Sequence, residues 1–487
     1  MPSGGDSMSS QSSHDTMVEQ FAIGIDIGTS TVKGAVVSSH GGSFAYTSLP
    51  YPTSVLSPGF AEQDADHWWS AIGEVLDQIV IAHPSMSAAN TIIGLTGQMH
   101  TTVIRDRTGE LLRPAILWSD TRAEASASRL AKSVERWADI CGYSPIPAFT
   151  SAHLAWLKDH EPDVFAKIST IAVPKDDIRA RLGAGWATEP SDASAMNLMD
   201  TRADQWSAEL LEIVGIGKEL LPPIVPSKTI TGRVRSLPPT SSAADHLVGT
   251  PVIAGAGDQA AQALALGVTG DGDIGISVGT SGAVFQSIRA PRAGAFRHAL
   301  PDAWLALDST HAAGLALAWW SSISGVPFAQ VAEAVGKSAE PPTFLPYLQG
   351  ARDGRGAPGT LTDLRATHGV EDISRAVLEG VAIELVRLTR LVANGSVPES
   401  PVAIGGRAAQ IGALRELLSA GLQRTVTHSA RGPAYGIAAL AADTNGWLAQ
   451  HQALNVDRED TVDPDPETVK LFTARFARYV QLTEQLS

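Results

Sequence analysis

The chain has one cysteine in 487 residues, Cys141, and this scarcity excludes an internal disulfide framework and a cysteine-rich metal site. A lone cysteine suits a reducing compartment, so we expect a cytoplasmic protein in which Cys141 is a small buried apolar residue. Basic residues are also few, with 36 lysines and arginines against 51 acidic residues and a formal net charge of −15. That balance argues against nucleic acid or an anionic membrane as the main partner.

Long apolar runs are missing as well. No stretch supplies 18 consecutive apolar residues, so we expect no transmembrane helix. The first 20 residues, MPSGGDSMSSQSSHDTMVEQ, are rich in serine and polar, which predicts a disordered tail rather than a signal peptide or an anchor. After these exclusions the composition favours an enzyme that acts on small ligands. The chain length is typical of two or three domains.

Apolar and helical patterns alternate along the chain, which predicts the α/β class. Residues 21–27 and 32–37 have the pattern of two strands joined in a hairpin with Gly28 to Ser30 at its tip. A helical period follows over 67–81, and residues 91–95 have the pattern of a buried strand.

The domain boundaries follow from composition and from these patterns. After the tail over 1–20 we expect an N-terminal domain over 21–250, a C-terminal domain over 251–445 and a helical extension over 446–487. A proline-rich segment over 221–242 has the composition of a connection between the two lobes.

One short stretch occurs twice. GIDIGTSTVK, at 24–33, returns about half a chain later as GISVGTSGAV, at 275–284, with an identical Gly-Thr-Ser triplet. Asp26 of the first copy is matched by Ser277 of the second. A repeat at the start of each half predicts two similar domains that face each other across a cleft, each presenting one turn to it.

The chemistry of the repeated turn is phosphate binding. Glycine lets the backbone approach an anion closely, and the Thr and Ser hydroxyls add donors without bulk. Asp26, at a strand end beside the phosphates, is a candidate to hold a hydrated Mg²⁺, whereas Lys33 is interpreted as a solvated strand lysine. The candidate phosphate contacts are Gly28, Thr29, Ser30, Gly279, Thr280 and Ser281.

A candidate general base stands in VIAGAGDQAA, at 252–261, where an apolar strand breaks at glycines before Asp258. A carboxylate there could accept the proton of a substrate hydroxyl as its oxygen attacks the γ-phosphoryl group. The alternative is that Asp258 only caps the following helix.

With these residues assembled, the chain resembles the FGGY carbohydrate kinases, and within them the xylulokinases, from Phe21 to the last helix. The resemblance implies two actin-like (ribonuclease H-like) ATPase domains, a homodimer, and ATP and Mg²⁺ as cofactors. Its motifs are GLTGQMH at 94–100, RPAILWSDTRA at 113–123, VPKDDIRARL at 173–182, AGAGDQAA at 254–261, FLPYLQG at 344–350 and GPAYGIAALA at 432–441.

The resemblance also implies roles for single residues. Asp258 matches the catalytic base, and Asp26 matches the aspartate near the metal. The candidate sugar contacts are Gln98, Met99, His100, Asp258 and Gln259, and the nucleotide-side glycines are Gly405 and Gly406.

Four positions depart from the family pattern. Gln259 stands where xylulokinases often have asparagine, and Asp-Gln is also similar to the glycerol kinases. His153 replaces a lysine of the first signature, and the residues from Ala351 to Gly354 replace a Glu-Arg-Thr-Pro stretch. Arg407 takes the place of the third glycine in a Gly-Gly-Gly run.

The implied activity is ATP-dependent phosphorylation of a terminal hydroxyl of an open-chain ketopentose, D-xylulose first, in pentose catabolism. The alternatives within the family are a kinase for a polyol and a non-catalytic sugar sensor on the same scaffold. A chaperone-like ATPase of the same fold would not need Gly-Gln-Met-His or Asp258. A hydrolase is an alternative from another class, because Gly275 to Gly279 fits the nucleophile pattern G-x-S-x-G around Ser277.

Overall fold

The hairpin expected at residues 21–37 is present and begins the first of two large mixed sheets. The structure, a computed structural model, describes residues 18–331, 340–350, 358–446 and 460–486, apart from 240, 242–244, 349 and 445. All but the last three residues of the expected tail over 1–20 lie outside the described residues. Cys141 is buried, as expected.

The first sheet has seven strands in the order β11-β12-β5-β1-β2-β3, with β13 also pairing with β5. The strands of this half are β1 Phe21–Ile27, β2 Val32–Ser38, β3 Ser43–Thr47, β4 Glu62–Gln63, β5 Thr91–Gly97, β6 Val103–Arg105, β7 Ala115–Ile116, β8 Thr170–Ala172, β9 Met199–Asp200, β10 Gln205–Trp206, β11 Ile230–Arg233, β12 Pro251–Ile253 and β13 Ala256–Gly257.

The second sheet also has seven strands, in the order β16-β17-β15-β14-β20-β21-β22. The strands of this half are β14 Ile274–Val278, β15 Gly282–Ile288, β16 Ala295–Arg297, β17 Trp304–Thr310, β18 Thr343–Leu345, β19 Thr360–Thr362, β20 Val402–Gly405, β21 Val426–Ser429 and β22 Thr461–Val462.

The two sheets repeat one pairing pattern, as the duplicated turn predicts. In the first sheet β1 pairs antiparallel with β2 and parallel with β5. In the second sheet β14 pairs antiparallel with β15 and parallel with β20. Each Gly-Thr-Ser turn therefore joins the corresponding pair of strands in its own sheet.

The helices cover both sheets, and none of those described is long and apolar enough to cross a membrane. They are α1 Ala65–Ala82, α2 Glu124–Ser133, α3 Trp137–Cys141, α4 Thr150–His160, α5 Pro162–Phe165, α6 Pro174–Arg181, α7 Pro190–Ala195, α8 Ala208–Val214, α9 Asp258–Ala265, α10 Gly314–Ser324, α11 Phe328–Val331, α12 Val370–Val392, α13 Gly412–Leu422, α14 Pro433–Thr444 and α15 Pro466–Leu486.

The helix predicted from the period over 67–81 is confirmed. Helix α1 buries Trp68, Ile72 and Val75, as its period predicts, and Asp64 caps its first turn through the amide of Asp66. Helix α15 buries Phe472 and Tyr479 against the second core.

The proline-rich segment over 221–242 is not only a connection between lobes, and that prediction is corrected. Its residues 230–233 form β11, which pairs antiparallel with β12 in the first sheet. The sequence predicts the boundary between the two domains after residue 250. Strands β12 and β13 lie beyond that residue, yet both pair with β5 of the first sheet. By hydrogen bonding the first sheet therefore extends to Gly257, directly before Asp258.

Helix α14 comes late in the chain but packs against the first sheet and against α9. Glycines make this contact possible, because a Cβ on Gly24 of β1 would lie 1.9 Å from the carbonyl oxygen of Ala434. A Cβ on Gly436 would likewise lie 1.9 Å from the carbonyl oxygen of Ala261. The close packing fixes α9, and with it the first residue of α9, Asp258.

Candidate active site

A cleft of about 1960 Å³ separates the two sheets, and both repeated turns open into it. Gly28 and Thr29 line one wall, and the triplet from Gly279 to Ser281 lines the other. Asp26 and Asp258 line the same cleft. The chain thus brings together the two turns and the two carboxylates that the sequence singled out.

The first turn is held from behind by polar side chains. The indole Nε1 of Trp118 donates to Thr29 Oγ1 at 3.1 Å, and Gln63 Nε2 donates to the carbonyl oxygen of Thr29 at 2.6 Å. Thr29 Oγ1 lies 3.4 Å from Gln98 Oε1. Gln98 is 1 % exposed and is absent from the cleft lining, so it supports the turn from behind.

The second turn lies against the start of α10. The amide of Gly314 donates to the carbonyl oxygen of Gly279 at 3.0 Å, and that of Leu315 to the carbonyl oxygen of Thr280 at 2.9 Å. A Cβ on Gly314 would lie 2.3 Å from the oxygen of Gly279, so only glycine allows this approach. The carbonyls of Gly279 and Thr280 are therefore bonded to the start of α10.

Asp26 lies near the end of β1, opposite Lys33 of β2, and is 3 % exposed. Burial raises the pKa of Asp26 from 3.8 to about 6, and the nearby charge of Lys33 limits the rise. Lys33 itself is exposed and lines the cleft. Asp26 is therefore a carboxylate held in a place where a cation would stabilise its charge.

Asp258 is the first residue of α9, whose N-cap is Gly257, so the interpretation of Asp258 as a helix cap is wrong. Burial and, to a smaller extent, the Asp26 carboxylate raise its pKa from 3.8 to about 7. Hydrogen bonds from Gln259 and from the backbone of Met99 act in the opposite direction. A carboxylate with this pKa accepts a proton readily near neutral pH.

Met99 and His100 lie at the end of the cleft nearest Asp258. His100 has a positive φ of 69°, and its Nδ1 lies 2.7 Å from the carbonyl oxygen of Ala195. Its ring centroid is 4.9 Å from that of Phe149 and 5.6 Å from that of Phe296, a residue of the second sheet. Side chains of both domains therefore hold the imidazole at the cleft.

Gly405 is the last residue of β20, and Gly406 follows it close to Val278, directly before the second turn. Gly406 has a positive φ of 94°, and a Cβ there would lie 2.6 Å from the carbonyl oxygen of Val278. Arg407, which follows, is exposed and lines the cleft with no ion pair or hydrogen bond to the residues that the structure describes. A cation therefore replaces the third glycine on the wall beside the second turn.

His153, another departure from the family pattern, does not reach the cleft. It is fully buried, and its Nδ1 lies 2.8 Å from Thr102 Oγ1. Burial lowers the pKa of His153 to about 3, so the ring is neutral. The departure from Ala351 to Gly354 lies outside the described residues.

The hydrolase hypothesis fails on backbone geometry. Ser277 lies inside β14, paired with Ala283 of β15 and Gly405 of β20. A nucleophile elbow needs its serine on a sharp turn between a strand and a helix. The G-x-S-x-G pattern is the end of a central strand instead.

Several residues of this site were not predicted. Trp118 lies within a motif quoted for the resemblance, and Phe149 and Phe296 are ordinary apolar residues in the sequence. Arg431 lies over the ring of Tyr435 at 4.4 Å on the cleft wall. No local pattern distinguishes such residues, because chain segments far apart in sequence bring them to the cleft.

Among the described residues there is no group of three or more His, Cys, Asp or Glu side chains that could hold a metal ion. A magnesium ion bound with a nucleotide does not need one, because it takes most of its ligands from water and phosphate oxygens. The single carboxylate of Asp26 beside the first turn fits that donor set.

Two α/β domains of the same topology, each presenting a Gly-Thr-Ser turn to a cleft with carboxylates, define a two-domain phosphotransferase for small molecules. Models of the FGGY family of carbohydrate kinases match both halves, the N-terminal domain over 21–265 and the C-terminal domain over 274–444. The chain belongs to the FGGY family of carbohydrate kinases, which use ATP as the phosphate donor.

Relatives with this fold include xylulose kinases. The chain is 33% identical to the xylulose kinase of Escherichia coli K12, over 79% of this chain and 82% of that protein. It is 32% identical to the xylulose kinase of Klebsiella pneumoniae, over 86% and 89%. A solved xylulose kinase structure from Brucella ovis has a TM-score of 0.85 and 29% identity, over 96% and 99%. Glycerol kinase from Plasmodium falciparum, at 18% identity and a TM-score of 0.83 over 95% and 98%, shares the fold alone.

Proposed function

We propose that this carbohydrate kinase transfers the γ-phosphoryl group of ATP to a terminal hydroxyl of an open-chain ketopentose, D-xylulose first. The observation that carries the proposal is Asp258, a carboxylate with a raised pKa in a cleft shared with both Gly-Thr-Ser turns. The xylulose kinases among the relatives support D-xylulose as the first substrate to test. ATP as donor agrees with the cytoplasmic location expected from the lone cysteine.

In the proposed reaction Asp258 is the general base. Its ionised carboxylate accepts the hydroxyl proton of the sugar as the hydroxyl oxygen forms a bond to the γ-phosphorus. The bond from that phosphorus to the bridging oxygen breaks, and the electron pair leaves on ADP. Amides and hydroxyls of the two turns bind the phosphate oxygens from opposite walls, which holds the reacting atoms in line.

Asp26 is proposed as the carboxylate on the metal side. When bound, Mg²⁺ would neutralise charge on the phosphate oxygens, and the Asp26 carboxylate is the group that would hold it. Burial raises the pKa of Asp26 because it makes the charged form costly, and a bound cation would offset that cost.

The sugar end of the cleft supports a substrate rich in hydroxyl groups. Gln259 Oε1 is buried and has no hydrogen-bond partner among the described residues, so it can accept from a substrate hydroxyl. Its Nε2 lies 3.4 Å from Asp258 Oδ1, which places it beside the base. Glutamine rather than asparagine here is the observation that keeps a polyol as the second candidate.

The experiment is ADP release with ATP and Mg²⁺ over D-xylulose, D-ribulose, L-ribulose, xylitol, D-arabinitol and glycerol. We expect turnover on D-xylulose and its loss in Asp258→Asn, with Asp163→Asn, an exposed change in α5, as the control. Turnover confined to a polyol would keep the mechanism and change the substrate. Sugar binding by calorimetry without turnover on any of these compounds would indicate the sensor instead.

A further inference from the structure

A group of charged side chains that the proposed reaction does not use lies behind the base. All five members are at most 1 % exposed, and we call them the buried ionic cluster: Lys175, Asp176, Arg179, Glu189 and Asp192. Lys175 Nζ lies 2.7 Å from Asp176 Oδ1, 3.2 Å from Asp192 Oδ2 and 3.6 Å from Glu189 Oε1. Burying charges costs several kcal/mol per ion even when they are paired, so hydrophobic packing alone would have been a simpler core.

Opposite charges contact each other within the buried ionic cluster. Although burial opposes the charge of Lys175, Asp176 and Asp192 hold its pKa above the usual value. Burial raises the pKa of Asp192 well above its usual value, and the nearby charge of Lys175 acts in the opposite direction. Arg179 also contacts Asp176. The cluster thus provides fixed hydrogen-bonding groups behind the base.

Those groups are bonded to the backbone segment that ends at the base. Arg179 Nη1 donates to the carbonyl oxygen of Ala254 at 2.6 Å. Three residues later, the amide of Gly257 donates to Ser191 Oγ at 2.9 Å. Ser191 Oγ in turn donates to the Glu189 carboxylate at 2.8 Å. The segment from 254 to 257 is therefore held at both ends by buried polar groups.

Glu189 organises the second of these contacts. As the N-cap of α7 it accepts from the amides of Ser191 and Asp192, at 2.8 and 2.9 Å. It also accepts from Ser227 Oγ at 3.1 Å, and the carbonyl oxygen of Ser227 accepts from the amide of Gly255 at 3.0 Å. One buried carboxylate thus fixes both Ser191 and the segment before the base.

The space around Gly257 leaves little room for the turn to shift. A Cβ on Gly257 would lie 2.8 Å from Met99 Cγ and 3.0 Å from Asp192 Oδ1. Helix α7 also contacts His100, because the carbonyl oxygen of Ala195 accepts a hydrogen bond from His100 Nδ1. The two sides of the sugar end of the cleft therefore rest on one short helix.

We propose that Ser191, held by the buried ionic cluster, is a positioning residue that fixes the Gly257 amide and so aims the carboxylate of Asp258 at the substrate hydroxyl. The inference rests on the proposed function, in which Asp258 is the base. Ser191 itself lies behind the backbone and is not in the lining of the cleft.

Ser191→Ala tests the inference because it removes one hydroxyl and leaves every charge of the cluster in place. A misplacement of about 1 Å at a reacting group costs about 100-fold in rate, so a shift of about half that size should lower kcat by about 10-fold. KM for the sugar and for ATP should stay within about twofold, because the turns and the sugar contacts are intact. Ser191→Thr keeps a hydroxyl and should restore most of kcat.

A second readout does not depend on activity. Hydrogen exchange of the segment from 254 to 260 should be faster in Ser191→Ala, because the Gly257 amide loses its acceptor. Ser419→Ala is the control, since it removes an equally buried hydroxyl that donates to the carbonyl oxygens of Arg424 and Val462 in the second domain. It should lower stability without changing kcat or exchange near Gly257.

The outcomes separate this inference from the proposed function. If the wild type turns over and Ser191→Ala has the same kcat and the same hydrogen exchange, the positioning role is overturned and Asp258 remains the base. A parallel fall of kcat in Ser419→Ala would show a general effect of stability and would also overturn it. Full turnover in Asp258→Asn would remove the base, and the positioning role with it.

Discussion

Replacing Asp258 with asparagine should make the protein more stable, by an amount that grows with pH. Burial raises the pKa of Asp258 from 3.8 to about 7, and Asp26 adds to the rise. The folded protein therefore binds this proton more tightly than the unfolded chain, and its stability falls as pH rises between the two pKa values. A shift of about 3 units at 1.36 kcal/mol each corresponds to about 4 kcal/mol.

Asparagine is neutral at every pH, so the variant avoids that loss. We expect Asp258→Asn to exceed the wild type in unfolding free energy by about 2 kcal/mol at pH 5 and about 4 kcal/mol at pH 8. Thermal midpoints at both values measure the difference, at about 2–4 °C per kcal/mol for a domain of about 200 residues. The exposed variant Asp163→Asn should show no such trend. A variant that is less stable, or equally stabilised at pH 5 and pH 8, would refute the reasoning.

Three further predictions follow from the site and its packing. We expect kcat/KM to rise with pH and to level off above about 7, where Asp258 is ionised, and a flat profile from pH 5 to 8 would contradict its role as the base. Arg407→Gln should weaken ADP binding by about 10-fold at low salt and less at high salt, as calorimetry would show, because its guanidinium lines the cleft beside the second turn. An equal loss for adenosine would contradict a phosphate contact. Gly436→Ala should lower the unfolding free energy by about 3 kcal/mol, because its Cβ would lie 1.9 Å from the oxygen of Ala261. Gly432→Ala, with nothing within 4 Å of the new Cβ, should change denaturant stability far less.

The parts of the fold that could be predicted from the sequence are local. The hairpin of β1 and β2 shows as two apolar runs around a small-residue tip, and α1 shows as a helical period. The proline-rich segment misled the prediction because its partner in the sheet, Pro251–Ile253, lies about 20 residues further along the chain. Pairing at that distance leaves no trace in the composition of either segment.

The candidate site likewise has parts that could be predicted from local sequence and parts that could not. The turns and Asp258 carry their own signals, since glycines interrupt apolar strands just before them. The burial of the ionic cluster carries no such signal. Lys175, Asp176 and Arg179 lie in the quoted motif VPKDDIRARL, but their composition is that of a solvated helix face. Their burial depends on Glu189 and Asp192 of the next segment, which contact Lys175. A sequence read one window at a time cannot detect such a compensation.

The asymmetry of the repeated turn agrees with the proposed division of labour. At matching positions β1 carries Asp26 beside Lys33 and Thr96, whereas β14 carries Ser277 beside Ala283 and Gly405. The charge of Asp26 already raises the pKa of Asp258 in the same cleft, so a third carboxylate would add further repulsion. The second copy of the turn instead follows the neutral residues Ser277 and Val278 of β14. In the proposed reaction one carboxylate, Asp26, would be enough to hold the Mg²⁺ that accompanies a single nucleotide, so the second copy of the turn needs none.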